Sequence, residues 1–223
     1  MIEVQQNRYL WIHTAGLAAV PLLLDICLAG LASTGSAFDY PVAFGAQFWA
    51  IALLSIVPPL GMQLVKPFYV FSLPPLALKP TALSDDQRRC LQVLKTLQVK
   101  ILAGLTAGFS LWILQALYAE LPHIKPLMTP SAGLITAAVS FFLACLFLQI
   151  SVSAGRSLLV GPSTLKRVTP YEQAAIAHDF LILGLRVDKL LPIDETSDAP
   201  EALSIEPAVP PPAEASSEAL EQA

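Results

Sequence analysis

Charge is scarce in this chain, and its gaps say more than its total. Only 13% of the 223 residues are charged, about half the ~25% usual in soluble domains. No Lys or Arg stands between Arg8 and Lys66, and no charged residue of either sign between Lys125 and Arg156. Cysteine is also sparse. Cys27, Cys90 and Cys145 lie far apart with no CxxC pair, which excludes a disulfide framework or a zinc motif and reads as small buried hydrophobes. The three histidines, His13, His123 and His178, form no HExxH, and no Walker loop or GxGxxG is present. Neither a cofactor, a metal nor a catalytic residue is therefore expected. The last thirty residues, from Asp194, lack any Lys, Arg or aromatic side chain.

What remains is apolar. Hydrophobic residues make up 55% of the chain. A soluble helical protein with a large core does not need apolar stretches beyond the ~18 residues that mark a membrane span. Four spans are predicted, at about 11–32, 48–64, 99–119 and 127–152. At ~1.5 Å per residue, runs of roughly 20 residues cross a ~30 Å hydrocarbon layer. The second is short and holds Pro58-Pro59, so it is read as a kinked span, with a re-entrant hairpin as the alternative. The first is too long and too poor in early positive charge for a cleaved leader, and reads as an uncleaved signal-anchor.

The basic residues orient these spans. Arg8, then Lys66, Lys79, Arg88, Arg89, Lys95 and Lys100, then Arg156, Lys166, Arg167, Arg186 and Lys189 fall on one side. Lys125 is alone on the other. By the positive-inside rule both termini are expected in the cytoplasm, with loops near Asp39 and His123 outside. The basic stretch "VKPFYVFSLPPLALKP" fits proximity to anionic lipid better than nucleic-acid binding.

The chain is organised as a membrane domain (1–162), an amphipathic cytoplasmic helix (163–192) and a tail (193–223). Ser84-Asp85-Asp86-Gln87 spells a capping box, opening a helix expected to run on into the third span. Gly161-Pro162 is expected to end the fourth span through a left-handed glycine, and Thr169-Pro170-Tyr171-Glu172 to open the last helix. In that helix Ile176, Phe180, Leu183 and Val187 share a face that packs on the bundle or docks to membrane or partner. The tail, with eight acidic residues, cannot bury enough apolar surface to order itself and is expected to be disordered. Without it, 13 basic residues against nine acidic leave a body of +4.

Two features inside the spans are candidates for function. Asp25 interrupts "LLLDICLAGLA", and an aspartate at a span centre costs roughly 2.5–3.5 kcal/mol. It is read as a neutral acid hydrogen-bonded to Ser110, Thr136 or Ser140 and holding helices together, with ion or proton handling as the alternative. Gly104-Leu-Thr-Ala-Gly108, flanked by Ala103 and Ala107, is a GxxxG pattern whose small residues let helices approach closely, inside the bundle before dimerisation.

The stretches "WIHTAGLAAVPLLLDICLAGLA", "PFYVFSLPPLALKP", "LSDDQRRCL", "AGFSLWIL", "LLVGP" and "DFLILGLRV" resemble a family of cyanobacterial integral membrane proteins with low-complexity tails, over roughly residues 9–192. The resemblance implies a plasma or thylakoid membrane and a role in building photosynthetic complexes. It carries no catalytic residues over. The expectation is a four-span, all-α, non-enzymatic accessory, scaffold or assembly protein. Its partners would be the bilayer and other membrane proteins, not nucleic acid, and a homo-oligomer is compatible. The alternative is a small transporter or channel subunit using Asp25, for which Gln63 and Gln115 are the other polar groups available.

Overall fold

The computed structural model describes residues 8–34, 45–121 and 124–189. The acidic tail and the loops at Asp39 and His123 lie outside them. Four helical rods carry the apolar runs. The first is α1 (Arg8–Ala15) and α2 (Ala19–Ala32), joined through a 3-10 turn at Gly16–Ala18. The others are α3 (Ala46–Val65), α5 (Leu97–Glu120) and α6 (Pro130–Leu158). Each is long and apolar enough to cross a bilayer. Helix α3 runs through Pro58 and Pro59 unbroken, so the second run is a span and not a hairpin.

Helix α6 is the hub, and its polar groups explain how. In hydrocarbon no hydrophobic force drives helices together, so close packing and interhelical hydrogen bonds must do it. Ser151 Oγ donates to the His13 carbonyl of α1 at 2.7 Å, and Gln149 Nε2 to the Ala103 carbonyl of α5 at 2.9 Å. Ser55 Oγ of α3 donates to the Ala138 carbonyl of α6 at 3.1 Å. Against α2 the contact is backbone on backbone. A Cβ on Gly30 would stand 2.7 Å from the Ala137 nitrogen, and one on Gly133 2.6 Å from the Gly30 carbonyl oxygen. Only glycine fits there.

At one end of the bundle the polar segments form a second, extramembrane core. Helix α4 (Asp85–Leu94) begins with the capping box: Gln87 N–H donates to Ser84 Oγ at 3.3 Å, and Ser84 N–H to Gln87 Oε1 at 3.0 Å. It does not continue into the third span. Thr96 is extended and Leu97 starts α5 afresh, while Thr96 Oγ1 turns back to the Val93 carbonyl. Three short strands follow an order β1-β2-β3. Strand β1 (Ser72–Leu73) pairs antiparallel with β2 (Leu76–Leu78), which pairs parallel with β3 (Leu185–Val187). Gly184, at φ 114°, turns into β3 with its Cα against the Pro75 carbonyl, where a side chain has no room. Tyr9, Leu10, Tyr69, Phe71, Leu91 and Ile176 fill the core of this cap. The twelve basic residues all lie at this end of the rods, and Lys125 at the other.

The segment after the fourth span differs most from expectation. Gly161 is extended rather than left-handed. It caps a new short helix, α7 (Pro162–Arg167), so the break is real but its geometry is not a glycine stop. Glu172, not Thr169, precedes α8 (Gln173–Asp179), which has only seven residues. From Phe180 the backbone is extended, Phe68 and Leu181 form a parallel bridge, and β3 follows. The long amphipathic helix is therefore absent. Sheet pairing across more than a hundred residues captures this backbone more favourably than a lone surface helix can hold it.

Candidate functional site

Burial sorts the residues singled out from the sequence into those that hold the protein together and those it presents. On α2 the side facing α6 carries Val20, Cys27, Gly30 and Leu31. At 100° per residue Asp25 points away from all four. It is exposed, together with Ala18, Pro21, Leu22 and Ile26. Among the described residues it has no hydrogen-bond or ion-pair partner.

Two of the three hydroxyls expected to meet it are engaged within their own helices. Ser110 Oγ donates to the Thr106 carbonyl at 2.9 Å, and Ser140 Oγ to the Thr136 carbonyl at 2.6 Å. Asp25 is thus not the internal strut that the sequence suggested. A span apolar on every side gives no sequence signal for which face turns inward.

The GxxxG pair is corrected in the same way. On α5, Ala103, Thr106, Ala107 and Ser110 face the bundle, while Gly104 and Gly108 are exposed. A Cβ on either glycine would meet nothing within 4 Å. There the backbone of α5 is open at the surface, beside exposed Ile101, Leu105, Phe109 and Trp112. The Phe109 and Trp112 rings stack at 5.5 Å. The glycines that bring helices together are Gly30 and Gly133. Their signal was readable, since Gly133-Leu-Ile-Thr-Ala137 also has small residues four apart.

Gln115 is exposed, and Gln63 is buried at 1% beside Gln149 and Ser153, its amide unpartnered among the described residues. Asp25, Gln63 and Gln115 therefore do not line a common path.

The face of Ile176, Phe180, Leu183 and Val187 splits. Ile176 and Phe180 are buried in the cap, Leu183 is 42% exposed, and Val187 lies half-buried in β3. Phe180 meets Tyr171 edge-on at 5.3 Å and lies 5.4 Å below the Lys95 ammonium. Asp179 closes this corner, accepting from the Tyr171 hydroxyl, contacting His178 Nδ1 at 2.8 Å and pairing with Lys95 at 3.4 Å. The Tyr171 hydrogen bond, then His178 and Lys95, hold its carboxyl down at about 2. Burial, with Asp179 beside it, pushes the Tyr171 phenol up to about 12. These groups staple the end of α4 to the two ends of α8. His13 packs edge-on to Phe68 at 5.3 Å, also a packing role, and all three cysteines are buried and free. Among the described residues no cluster of three His, Cys, Asp or Glu could hold a metal.

Three apolar rods around a hydrogen-bonding fourth, with an apolar outer surface, define a polytopic helical membrane protein. The chain belongs to the low-complexity tail membrane protein-like family, whose model matches residues 6–192. Neither the curated proteins nor the solved structures hold a significant match.

Proposed function

We propose that this is a non-enzymatic accessory protein that packs against other membrane proteins and helps to hold or assemble them. One observation carries the reading: the intramembrane features that a solitary bundle does not use, Asp25 and the open backbone at Gly104 and Gly108, lie on its outward surface. Lipid requires neither a carboxylate nor a pair of bare glycines. A neighbouring helix uses both. A transporter needs polar groups along one route, and the divergent placement of Asp25, Gln63 and Gln115 lends that alternative no support. The family resemblance points to a cyanobacterial plasma or thylakoid membrane and to photosynthetic complexes as the assemblies served.

Affinity purification from native membranes in a mild detergent tests the role. The wild-type protein should bring down at least one other integral membrane protein in near-stoichiometric amount. Covering that backbone with Gly104→Leu and Gly108→Leu should reduce that recovery while leaving the melting temperature unchanged, since neither leucine meets the bundle. A wild-type protein that purifies alone would sink the proposal.

The twelve basic residues at one end support an orientation with both termini and the cap in the cytoplasm. A cysteine placed at position 200 should then react with an impermeant thiol reagent only after cells are opened. Labelling in intact cells would reverse the orientation.

A further inference from the structure

We infer that Asp25 is the contact point for a transmembrane helix of another protein that carries a lysine or arginine at the same depth. This rests on the accessory reading above and names the chemistry of the partner.

Asp25 lies seven residues before the end of α2 at Ala32, about 10 Å along the helix axis, and seventeen residues, about 25 Å, from Arg8 at the basic end. Both ends of the apolar rod are therefore farther from it than its short side chain extends. Among the described residues its own chain supplies it no partner. The apolar runs contain no Lys or Arg between Arg8 and Lys66, Lys100 and Lys125, or Lys125 and Arg156. The Ser110 and Ser140 hydroxyls are bonded within their own helices.

The neighbours of Asp25 on its helix suit close approach. Ala18, Pro21 and Ala29, one and two turns away on the same side, are small, and Leu22 and Ile26 flank the carboxylate with apolar surface. A second helix can therefore lie along α2 with the carboxylate at the centre of the contact, shielded from lipid and water. There an opposite charge offsets the cost of burying Asp25, which a neutral helix could only partly satisfy. A second copy presenting the same face would set carboxylate against carboxylate, a like-charge contact. Charge complementarity selects a basic partner instead.

Full-length protein purified from native membranes decides this, comparing wild type with Asp25→Asn and Asp25→Lys. Because Asp25 faces outward, both variants should accumulate and melt as wild type does. The Lys variant should lose one particular companion by roughly tenfold or more, equivalent to ~1.4 kcal/mol. The Asn variant, which inserts at less cost, should lose it partly. The lost companion should have a Lys or Arg inside a span, and changing that residue to Asp should restore its recovery with Asp25→Lys. Failure of that charge swap overturns the inference. So does unchanged recovery of every companion, which leaves the accessory reading standing. Loss of self-association in place of a companion overturns it in favour of a homodimer face. A wild-type protein with no companion defeats both readings together.

Discussion

Replacing Gly133 with leucine lowers the melting temperature of the purified protein by roughly 6–12 °C, whereas the same change at Gly104 leaves it where it was. The first figure follows from overpacking at about 3 kcal/mol, spread over a unit of nearly 190 residues. At Gly133 a Cβ would already stand 2.6 Å from the Gly30 carbonyl oxygen and 2.9 Å from Ser33 Cβ. Neither obstacle is the loose end of a long side chain, so relief requires α2 to move off α6. That movement also disturbs Ser33 Oγ, which donates to the Ala29 carbonyl and accepts from the Leu127 and Met128 N–H groups at 3.0 and 3.2 Å. At Gly104 the added side chain enters open space. The two glycines occupy similar sequence settings and differ in what stands opposite. Equal shifts at both positions, measured by thermal unfolding in detergent, would refute this account of which glycines pack.

Phe180→Ala should be strongly destabilising, at about 3–5 kcal/mol for an emptied aromatic site. Phe180 is 2% exposed, and its loss leaves Tyr171 without its edge contact and Lys95 with only one of the two rings beneath it. Leu183→Ala, three residues on, should fall within about 0.5 kcal/mol of wild type, because Leu183 is largely at the surface. On one helical face the two would share a fate. Hydrogen exchange over residues 171–189 reads the difference. Faster exchange in Phe180→Ala with near-normal exchange in Leu183→Ala is expected. The reverse order would restore the amphipathic helix and remove the β3 strand.

The features legible in the sequence were those set by neighbours along the chain. Length and apolarity of a run decide whether a helix can satisfy its backbone in hydrocarbon, and the four rods lie within a few residues of where hydropathy put them. The capping box was readable because its two hydrogen bonds join residues three apart. The basic end was readable because charge is counted, not placed.

Tertiary structure decided the rest. Strands of two or three residues carry no periodicity, and β2 finds β3 only across more than a hundred residues, so the chain after Asp179 looked like more helix. The faces of the spans were equally hidden. Where a helix is apolar all round, its sequence does not say which side turns to lipid. Close approach at Gly30 and Gly133 settles the rotation of α2 against α6, and the 100° step per residue then carries Asp25 to the outside. The sequence by itself placed a carboxylate in the membrane. The helix crossing, set by two glycines that let the backbones of α2 and α6 meet, decided that it faces outward and not into its own bundle.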